Sequence, residues 1–164
     1  MYHHENFYTE VIMPNHEDIP LPVLDKPLDE IKIAVVTDGG LVPKGNPDNQ
    51  VPTNSKYYKI YDTHGVDALN VKDYEVSHQG YNNAFVLADP NRLVPVDALM
   101  KLKKEGKIGE VYQKFYSTAG VMTPMEMGKK FGEGIANEQW YYKESLTGSW
   151  KAGKLKVLNT NKTY

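Results

Sequence analysis

A short apolar run, Lys32-Ile-Ala-Val-Val-Thr37, constrains the fold of this 164-residue chain more than any other segment. The run does not alternate between apolar and polar residues, which predicts a strand buried on both faces, as in the interior of a parallel sheet. It ends at Asp38-Gly39-Gly40, a turn signal, and a Pro/Gly-rich loop over residues 41–59 follows. Loops of this length inside a compact domain are uncommon and tend to be functional.

Local signals further along the chain predict more strands and two helices. Short apolar runs predict strands at Tyr74–Ser77, Ala84–Ala88 and Val111–Tyr116. Pro suits the first position of a helix and Gly suits its end, so one helix is predicted between Pro95 and Gly106. A second helix is predicted to begin at Thr123-Pro124, where Thr provides the N-cap and Pro the first helical residue.

The order of these elements predicts an α/β domain over residues 31–138, with a mainly parallel sheet flanked by helices in a three-layer, Rossmann-like arrangement. Residues 1–30 contain four prolines and few apolar residues, which predicts an extended Pro-rich arm ahead of the domain. Residues 139–164 differ in character and are interpreted as a divergent tail, either a hairpin around Ala152-Gly153 or a disordered segment.

Composition excludes several classes of protein. The chain has 21 acidic and 19 basic residues, and this balance argues against a nucleic-acid-binding protein. It contains no cysteine, which excludes disulfides, thiolate zinc sites, redox pairs and a cysteine nucleophile in these residues. No apolar run is long enough to span a membrane, and the polar start, Met1–Glu5, lacks the apolar stretch of a signal peptide. We therefore expect a soluble, cytoplasmic protein.

The segment after the first strand is the strongest candidate for a binding site. Ligands of open α/β sheets bind at the carboxyl ends of strands, and Gly39 and Gly40 would let a ligand approach the backbone there. Lys44 would neutralise an anion, and Asn46 lies in the same loop. The alternative is a surface loop in which glycine and proline only set the turns, and the pattern alone leaves both interpretations open.

Two other positions carry chemistry of interest. His78, beside a glycine at a predicted strand end, is a candidate general base or orienting donor, although a lone histidine is more often structural. The turn that holds Ser117 and Thr118 lies between a strand and a helix, so it is either a second anion-binding turn or an ordinary loop. His3, His4 and His16 lack the spacing of metal ligands, and no metal site is predicted.

A family resemblance follows from the segment Val36–Asp48. Its sequence, V-T-D-G-G-L-V-P-K-G-N-P-D, resembles the T-x-G-G-[IL]-V-P-K-G-N-P-D block of the selenoprotein B family, the substrate-specific component B of glycine, sarcosine and betaine reductases. Ser77-His-Gln-Gly-Tyr81 is similar to the A-H-G-G-Y of that family. Further blocks agree in chain order: Gly65–Asp67, Ala88–Asp97, Lys104–Gly109 and Lys129–Gly132.

The resemblance implies a reductive deamination shared among several polypeptides. A pyruvoyl group on a partner subunit of component B holds the substrate amine, a selenocysteine of component B displaces it, and selenoprotein A receives the product group. A selenolate suits this role because it is deprotonated and strongly nucleophilic at neutral pH. This chain departs from the pattern at Gln79, at Val121-Met122 and after Glu138, where the segment with selenocysteine and cysteine is missing.

The first functional hypothesis is therefore part of a glycine, sarcosine or betaine reductase component B that binds no cofactor itself and is inactive alone. In that hypothesis no catalytic residue lies in this chain, His78 has a supporting role, and the pyruvoyl-containing subunit and selenoprotein A are the partners. The alternative is a non-catalytic scaffold or a small-anion-binding α/β domain. The sequence does not distinguish the three substrates, and it leaves open whether the chain alone is an enzyme.

Overall fold

The structure is a computed structural model that describes residues 24–145, with side chains described through residue 138. It contains five strands and three α-helices over that range: β1 (Lys32–Thr37), β2 (Leu41–Pro43), β3 (Lys59–Asp62), β4 (Tyr74–Val76), α1 (Ala84–Ala88), α2 (Val96–Lys104), β5 (Glu110–Ser117) and α3 (Met125–Ser145). Two short 3₁₀ turns, Leu28–Glu30 and Pro90–Arg92, precede β1 and α2. Most of the predicted arm and the predicted hairpin around Ala152-Gly153 lie outside the described residues.

The strands form two small sheets, a larger one of mixed direction and a smaller antiparallel one. In the larger sheet β5 is central, β1 pairs with it in parallel, and β3 pairs with it antiparallel. In the smaller sheet, the β2–β4 ribbon, the two strands are antiparallel. The prediction of a mainly parallel, three-layer Rossmann-like fold is therefore wrong. The apolar run of β1 carries no information on strand direction. The sheet is mixed because of β3, a short segment at the end of the long loop that pairs antiparallel with β5.

Strand order also explains why β1 is less buried than its sequence suggests. Because β5 takes the central position, β1 and β3 are the outer strands of the larger sheet. Val36 on β1 is 44% exposed and Ile60 on β3 is 39% exposed. The expectation that β1 is buried on both faces is therefore wrong: Thr37 is its one buried residue, and Val35 is half-buried against the core.

Residues 84–88, predicted as a strand, form helix α1 instead. Within this helix Val86 is buried, whereas Phe85 is 72% exposed and Leu87 is 48% exposed. The Asn82 side chain accepts a hydrogen bond from the Ala84 N–H (3.0 Å), which turns the chain at the start of the helix. A five-residue apolar run does not distinguish a strand from a helix by periodicity, so this prediction is wrong.

The larger sheet is covered on both faces. On one face, called here the Phe115 face, Phe115 and Tyr61 pack with Leu41 and Val42 of the β2–β4 ribbon and with Val96 of α2. On the other, the Tyr116 face, lie Tyr112, Tyr116, Ala34 and Tyr58, together with Ile135 of α3. Side chains alternate along β5, so Phe115 and Tyr116 necessarily serve opposite faces.

The predicted C-terminal end of α2 and the predicted position at which α3 begins are confirmed. Just beyond α2, Gly106 has a φ of +68°, the left-handed conformation that suits glycine after a helix. Helix α3 begins at Met125, next to the predicted start, but the Thr123 hydroxyl donates to the Ala119 carbonyl and accepts from the Ser55 N–H, so the predicted N-cap bond is not made. Within α3, Gly134 lies against Tyr58, where a Cβ atom would come within 2.7 Å of the phenol oxygen, so close helix–sheet packing explains that glycine. Across residues 24–145, no helix is both long and apolar enough to cross a membrane.

Candidate functional site

The parallel pairing of β1 and β5 joins the two turns that the sequence marks as candidates. Thr37 lies opposite Ser117, so both strands end at the same edge of the sheet. Beyond the strands, the Gly40 N–H donates to the Thr118 carbonyl (2.9 Å) and the Gly120 N–H donates to the Asp38 carbonyl (2.9 Å). The turns over 37–40 and 117–120 therefore form one structural unit, called here the paired turns.

Within the paired turns, the two glycines serve the backbone. Gly40 has a φ of +70°, and a Cβ atom there would collide with the Ser77 carbonyl. The Gly39 N–H donates to Thr37 Oγ1 (3.0 Å), and the Gly40 N–H is taken by Thr118. Because both N–H groups donate inside the fold, a ligand at this edge has to be held by other groups.

Lys44 and Asn46 lie away from the paired turns. The strand β2 separates Gly40 from Lys44, a span of about 13 Å for four extended residues, and the Lys44 N–H donates to the Asp73 carbonyl at the far end of the ribbon. The Lys44 ammonium is 3.5 Å from Glu75, which balances its charge. The Asn46 side chain accepts from the Gln50 N–H (2.9 Å) and donates to the Gln50 carbonyl (3.0 Å), so it shapes the loop.

His78 lies beside the paired turns with a defined hydrogen-bonding pattern. Its Nδ1 accepts from the Gly80 N–H (2.9 Å), so in the neutral ring the proton is on Nε2. Burial lowers the pKa of His78, and the nearby Asp38 carboxylate opposes that shift. The imidazole is therefore neutral near pH 7, and its Nε2–H is a hydrogen-bond donor.

Asp38 and Tyr81 complete the group around His78. The rings of His78 and Tyr81 pack with their centroids 4.8 Å apart, and the Tyr81 hydroxyl donates to the Gly39 carbonyl (2.8 Å). The pKa of Tyr81 is raised first by burial and then by Asp38. Asp38 itself is exposed, and its carboxylate lies against Gly120, where a Cβ atom would come within 2.6 Å. The group presents one carboxylate, one neutral imidazole donor and one anchored phenol.

Ser117 and Thr118, predicted together, point to different surroundings. The Thr118 hydroxyl donates to the Tyr57 carbonyl (3.0 Å) and holds the long loop against the end of β5. The Ser117 side chain is completely buried, and its hydroxyl has no hydrogen-bond partner among the described residues. These positions are thus a loop contact and a buried polar group.

Gln50 is a buried polar residue that the sequence did not single out. It is only 2% exposed, and neither Nε2 nor Oε1 of its side chain has a partner within the described part of the chain. A single glutamine in a polar loop carries no pattern that distinguishes it from exposed neighbours. Asp38 and Tyr81 were also not predicted, although Asp38 directly follows a strand. Over residues 24–145, no group of three or more acidic or histidine side chains is arranged to hold a metal ion.

Comparison with known proteins agrees with the resemblance seen in the sequence. The family model for glycine/sarcosine/betaine reductase selenoprotein B matches residues 2–143. The chain is 40% identical over 134 residues to the sarcosine reductase complex component B subunit beta of Peptoclostridium acidaminophilum, covering 82% of this chain and 31% of that protein. It is 39% identical over 132 residues to the glycine reductase complex component B subunit gamma of Carboxydothermus hydrogenoformans, covering 80% and 30%.

A betaine reductase subunit is similar to the same extent. The betaine reductase complex component B subunit beta of Peptoclostridium acidaminophilum is 41% identical over 119 residues, which is 73% of this chain and 27% of that protein. The chain thus spans about a third of the length of the curated relatives it matches. No solved structure gives a significant match. From the family model and these relatives together, the chain belongs to the glycine/sarcosine/betaine reductase selenoprotein B family.

Proposed function

We propose that the chain acts as part of a reductase component B, where it provides a substrate-binding frame for reductive deamination of glycine or an N-methylated glycine. The family match over residues 2–143 carries this proposal. The 164 residues contain no cysteine, so they offer no thiol for the redox step. In this proposal that step belongs to selenocysteine elsewhere in the complex, and the chain alone is inactive.

The partners follow from the same resemblance. A pyruvoyl-containing subunit provides the carbonyl that binds the substrate amine. Selenoprotein A then receives the product group. The relatives are named as subunits of reductase complexes, which supports the need for partners. The contribution of this chain is then to bind and orient the substrate.

The charges at the paired turns fit such a substrate. Glycine, sarcosine and betaine all carry a carboxylate and a cationic nitrogen. Asp38 is an exposed carboxylate that attracts the cationic nitrogen, and the neutral His78 ring offers Nε2–H to the substrate carboxylate. Lys44 stays a predicted anion-binding residue, but it lies at the other end of β2 and is paired with Glu75.

A reconstitution experiment tests the proposal. The full chain would be combined with a pyruvoyl-containing subunit and selenoprotein A, with co-elution and release of ammonia, methylamine and trimethylamine as readouts. We expect association, and amine release only in the presence of the partners. Asp38→Asn should reduce release at least about tenfold, because it removes the charge that attracts the cationic nitrogen, whereas Asp29→Asn at an exposed turn should not.

Two outcomes would contradict the proposal. Amine release by the stringently purified chain alone would show that the chemistry does not depend on a partner. A chain that associates with neither partner would instead act as a scaffold or as a separate small-molecule-binding domain.

A further inference from the structure

Tyr81 connects the imidazole and the carboxylate that lie at the paired turns. Its ring packs against the His78 ring with the centroids 4.8 Å apart, and its hydroxyl donates to the carbonyl of Gly39 (2.8 Å), the residue that follows Asp38. Asp38 belongs to the turn after β1, whereas His78 belongs to the segment after β4. One side chain therefore contacts the imidazole directly and holds the backbone next to the carboxylate.

The imidazole is also held by its own loop. Nδ1 of His78 accepts from the Gly80 N–H (2.9 Å), and the His78 carbonyl accepts from the Asn83 side chain (3.0 Å). A Cβ atom on Gly80 would come within 2.7 Å of Cε1 of the imidazole and would collide with Val121, so glycine is what leaves room for the ring. Because Nδ1 is occupied, a group that approaches the imidazole has to meet Nε2–H.

The carboxylate is held by the second of the paired turns. The Asp38 carbonyl accepts from the Gly120 N–H (2.9 Å), and the carboxylate itself lies against Gly120. The next residue, Val121, lies against Gly80 beside the imidazole. The carboxylate is near enough to act on the ring, since its charge opposes the lowering of the His78 pKa by burial. The two side chains come from different turns, so their separation depends on the contacts between those turns.

Hydrogen bonds of two kinds tie the segment after β4 to the turn after β1 within the described residues. The Ser77 N–H donates to the Gly40 carbonyl (2.8 Å), and the Tyr81 hydroxyl donates to the Gly39 carbonyl (2.8 Å). The first bond joins backbone to backbone, whereas the second depends on a side chain. A phenol is rigid beyond its two side-chain torsions, so anchoring its hydroxyl also fixes the ring that packs on the imidazole.

We propose that Tyr81 is a positioning residue, which sets the separation and relative orientation of the Asp38 carboxylate and the His78 imidazole. Its ring holds the imidazole, and its hydroxyl holds the turn that carries the carboxylate. These roles belong to different parts of the side chain, so Tyr81→Phe removes only the second and Tyr81→Leu removes both. The positioning needs no ligand, whereas its consequence for a bound substrate rests on the proposed function.

Nitrogen NMR of the full chain tests the inference, with the His78 signals identified by their loss in His78→Gln. The neutral ring should give two distinct nitrogen signals, because Nδ1 accepts a hydrogen bond and Nε2 carries the proton. Asp38→Asn should lower the midpoint of the His78 titration, since the carboxylate favours the charged ring. In a Tyr81→Phe background, the same change should lower the midpoint at most about half as much, because the two groups are no longer held together.

Tyr57→Phe is the matched control, since the Tyr57 hydroxyl also donates to a backbone carbonyl, that of Asn49 (2.7 Å). In that background, Asp38→Asn should keep its full effect on the midpoint. Tyr81→Leu should average the two nitrogen signals and raise the midpoint towards the ordinary histidine value, because the ring loses a contact that buries it. The exposed His64 provides an internal reference, and thermal melts verify folding. If Tyr81→Leu does not fold, Tyr81→Phe decides.

The reconstituted complex provides a second measurement. Tyr81→Phe should raise KM for amine release about three- to tenfold, the net contribution of one hydrogen bond, with a smaller change in kcat. An effect of Asp38→Asn as large in Tyr81→Phe as in the unmodified chain would overturn the inference, and so would unchanged His78 signals in folded Tyr81→Leu. The proposed function fails instead if the chain does not associate with the partner subunits, which is measured without changing Tyr81.

Discussion

Asn91 and Gln50 both bury a side-chain amide, but the fold completes the hydrogen bonds of only one of them. Asn91, 6% exposed in the turn before α2, accepts from the Leu69 N–H (2.9 Å) and donates to the Leu69 carbonyl (2.9 Å) and to Asp89 (2.8 Å). Gln50, 2% exposed, makes none of the corresponding side-chain bonds within the described residues. The first amide holds the fold together, and the second has no bonding role among the described residues.

The surroundings of the two amides differ in the same way. At Asn91 the turn is self-sufficient: Asp89 accepts from the Asn91 N–H (3.0 Å) and pairs with Arg92 (2.8 Å). Hydrogen bonds from Asn91, with Arg92 adding to them, lower the pKa of Asp89. Gln50 instead belongs to a loop in which its backbone N–H and carbonyl are bonded, while its side-chain amide has no partner among residues 24–145. Burial alone therefore does not give an amide a structural role; its hydrogen-bond partners do.

The largest effect is expected at Gly40, whose carbonyl accepts from Ser77, the residue that also donates to the Gln50 carbonyl. Gly40→Ala should lower the free energy of unfolding by about 3–4 kcal/mol, because the new Cβ collides with the Ser77 carbonyl in a left-handed conformation. Gly45→Ala is the matched control, since it also has a positive φ but meets no atom within 4 Å, and it should cost only about 1 kcal/mol. Urea unfolding measures both, and equal losses would contradict the close approach at Gly40.

The next effect tests the structural amide. Asn91→Leu should lower the free energy of unfolding by about 2–3 kcal/mol, because it leaves the buried N–H and carbonyl of Leu69 without partners. Asn70→Ala, which removes an exposed amide in a neighbouring turn, should cost less than about 1 kcal/mol. Thermal or urea unfolding of the two variants is sufficient, and a loss at Asn91 no larger than at Asn70 would refute its structural role.

A smaller effect is expected in the pH dependence of stability, where His78 and Asp89 act in different pH ranges. Burial lowers the pKa of His78 in the folded state, so the unfolded chain takes up the proton first. Stability should therefore decrease as pH falls below about 6.5 and level off once folded His78 is also protonated. Asp89 acts in a more acidic range: its lowered pKa gives stability that is lost as pH falls below the ordinary carboxylate value.

Unfolding at pH 7.5 and 5.5 tests the assignment to His78. In His78→Gln the difference in stability between the two pH values should be smaller than in the unmodified chain, whereas His64→Gln, at an exposed turn, provides the control. If His78→Gln left the pH dependence unchanged, another group would be responsible.

The smallest change in stability is expected at Gln50 itself. Gln50→Leu should alter the free energy of unfolding by no more than about 0.5 kcal/mol, or raise it slightly, because it removes polar atoms that have no partner in the described structure. Urea unfolding without added ligand is the measurement. A loss as large as that of Asn91→Leu would mean that the Gln50 amide builds the fold, and the contrast between the two residues would disappear.

The sequence predicted correctly those elements that depend on neighbouring residues alone, such as an apolar run or the residues at a helix terminus. Val111–Tyr116 was predicted as a strand and lies within β5, and the left-handed Gly106 and the Thr123-Pro124 start defined α2 and α3 correctly. Strand direction was not predictable in this way, because the antiparallel pairing of β3 depends on how the long loop returns to β5. The strand prediction for residues 84–88 failed for a related reason. Val86 is the one buried residue of this helix, so the apolar run shows no periodicity that distinguishes a helix from a strand.

The candidate site shows the same division. The two turns after β1 and β5 were each visible in the sequence, but only the register of Thr37 opposite Ser117 shows that they are one unit. Lys44 was predicted for its charge, and the ribbon places it at the opposite end from Gly40. Gln50 had no signal, because burial in a loop arises from contacts between distant segments.

The two reciprocal hydrogen bonds between the paired turns have a mechanical consequence. Gly40 donates to Thr118 and Gly120 donates to Asp38, so neither turn can open without breaking a bond that belongs to the other. The amide protons of Gly40 and Gly120 should then exchange with solvent through one shared opening event, at similar rates. A molecule that binds and stabilises either turn should therefore slow the amide exchange of both, because the two turns open cooperatively.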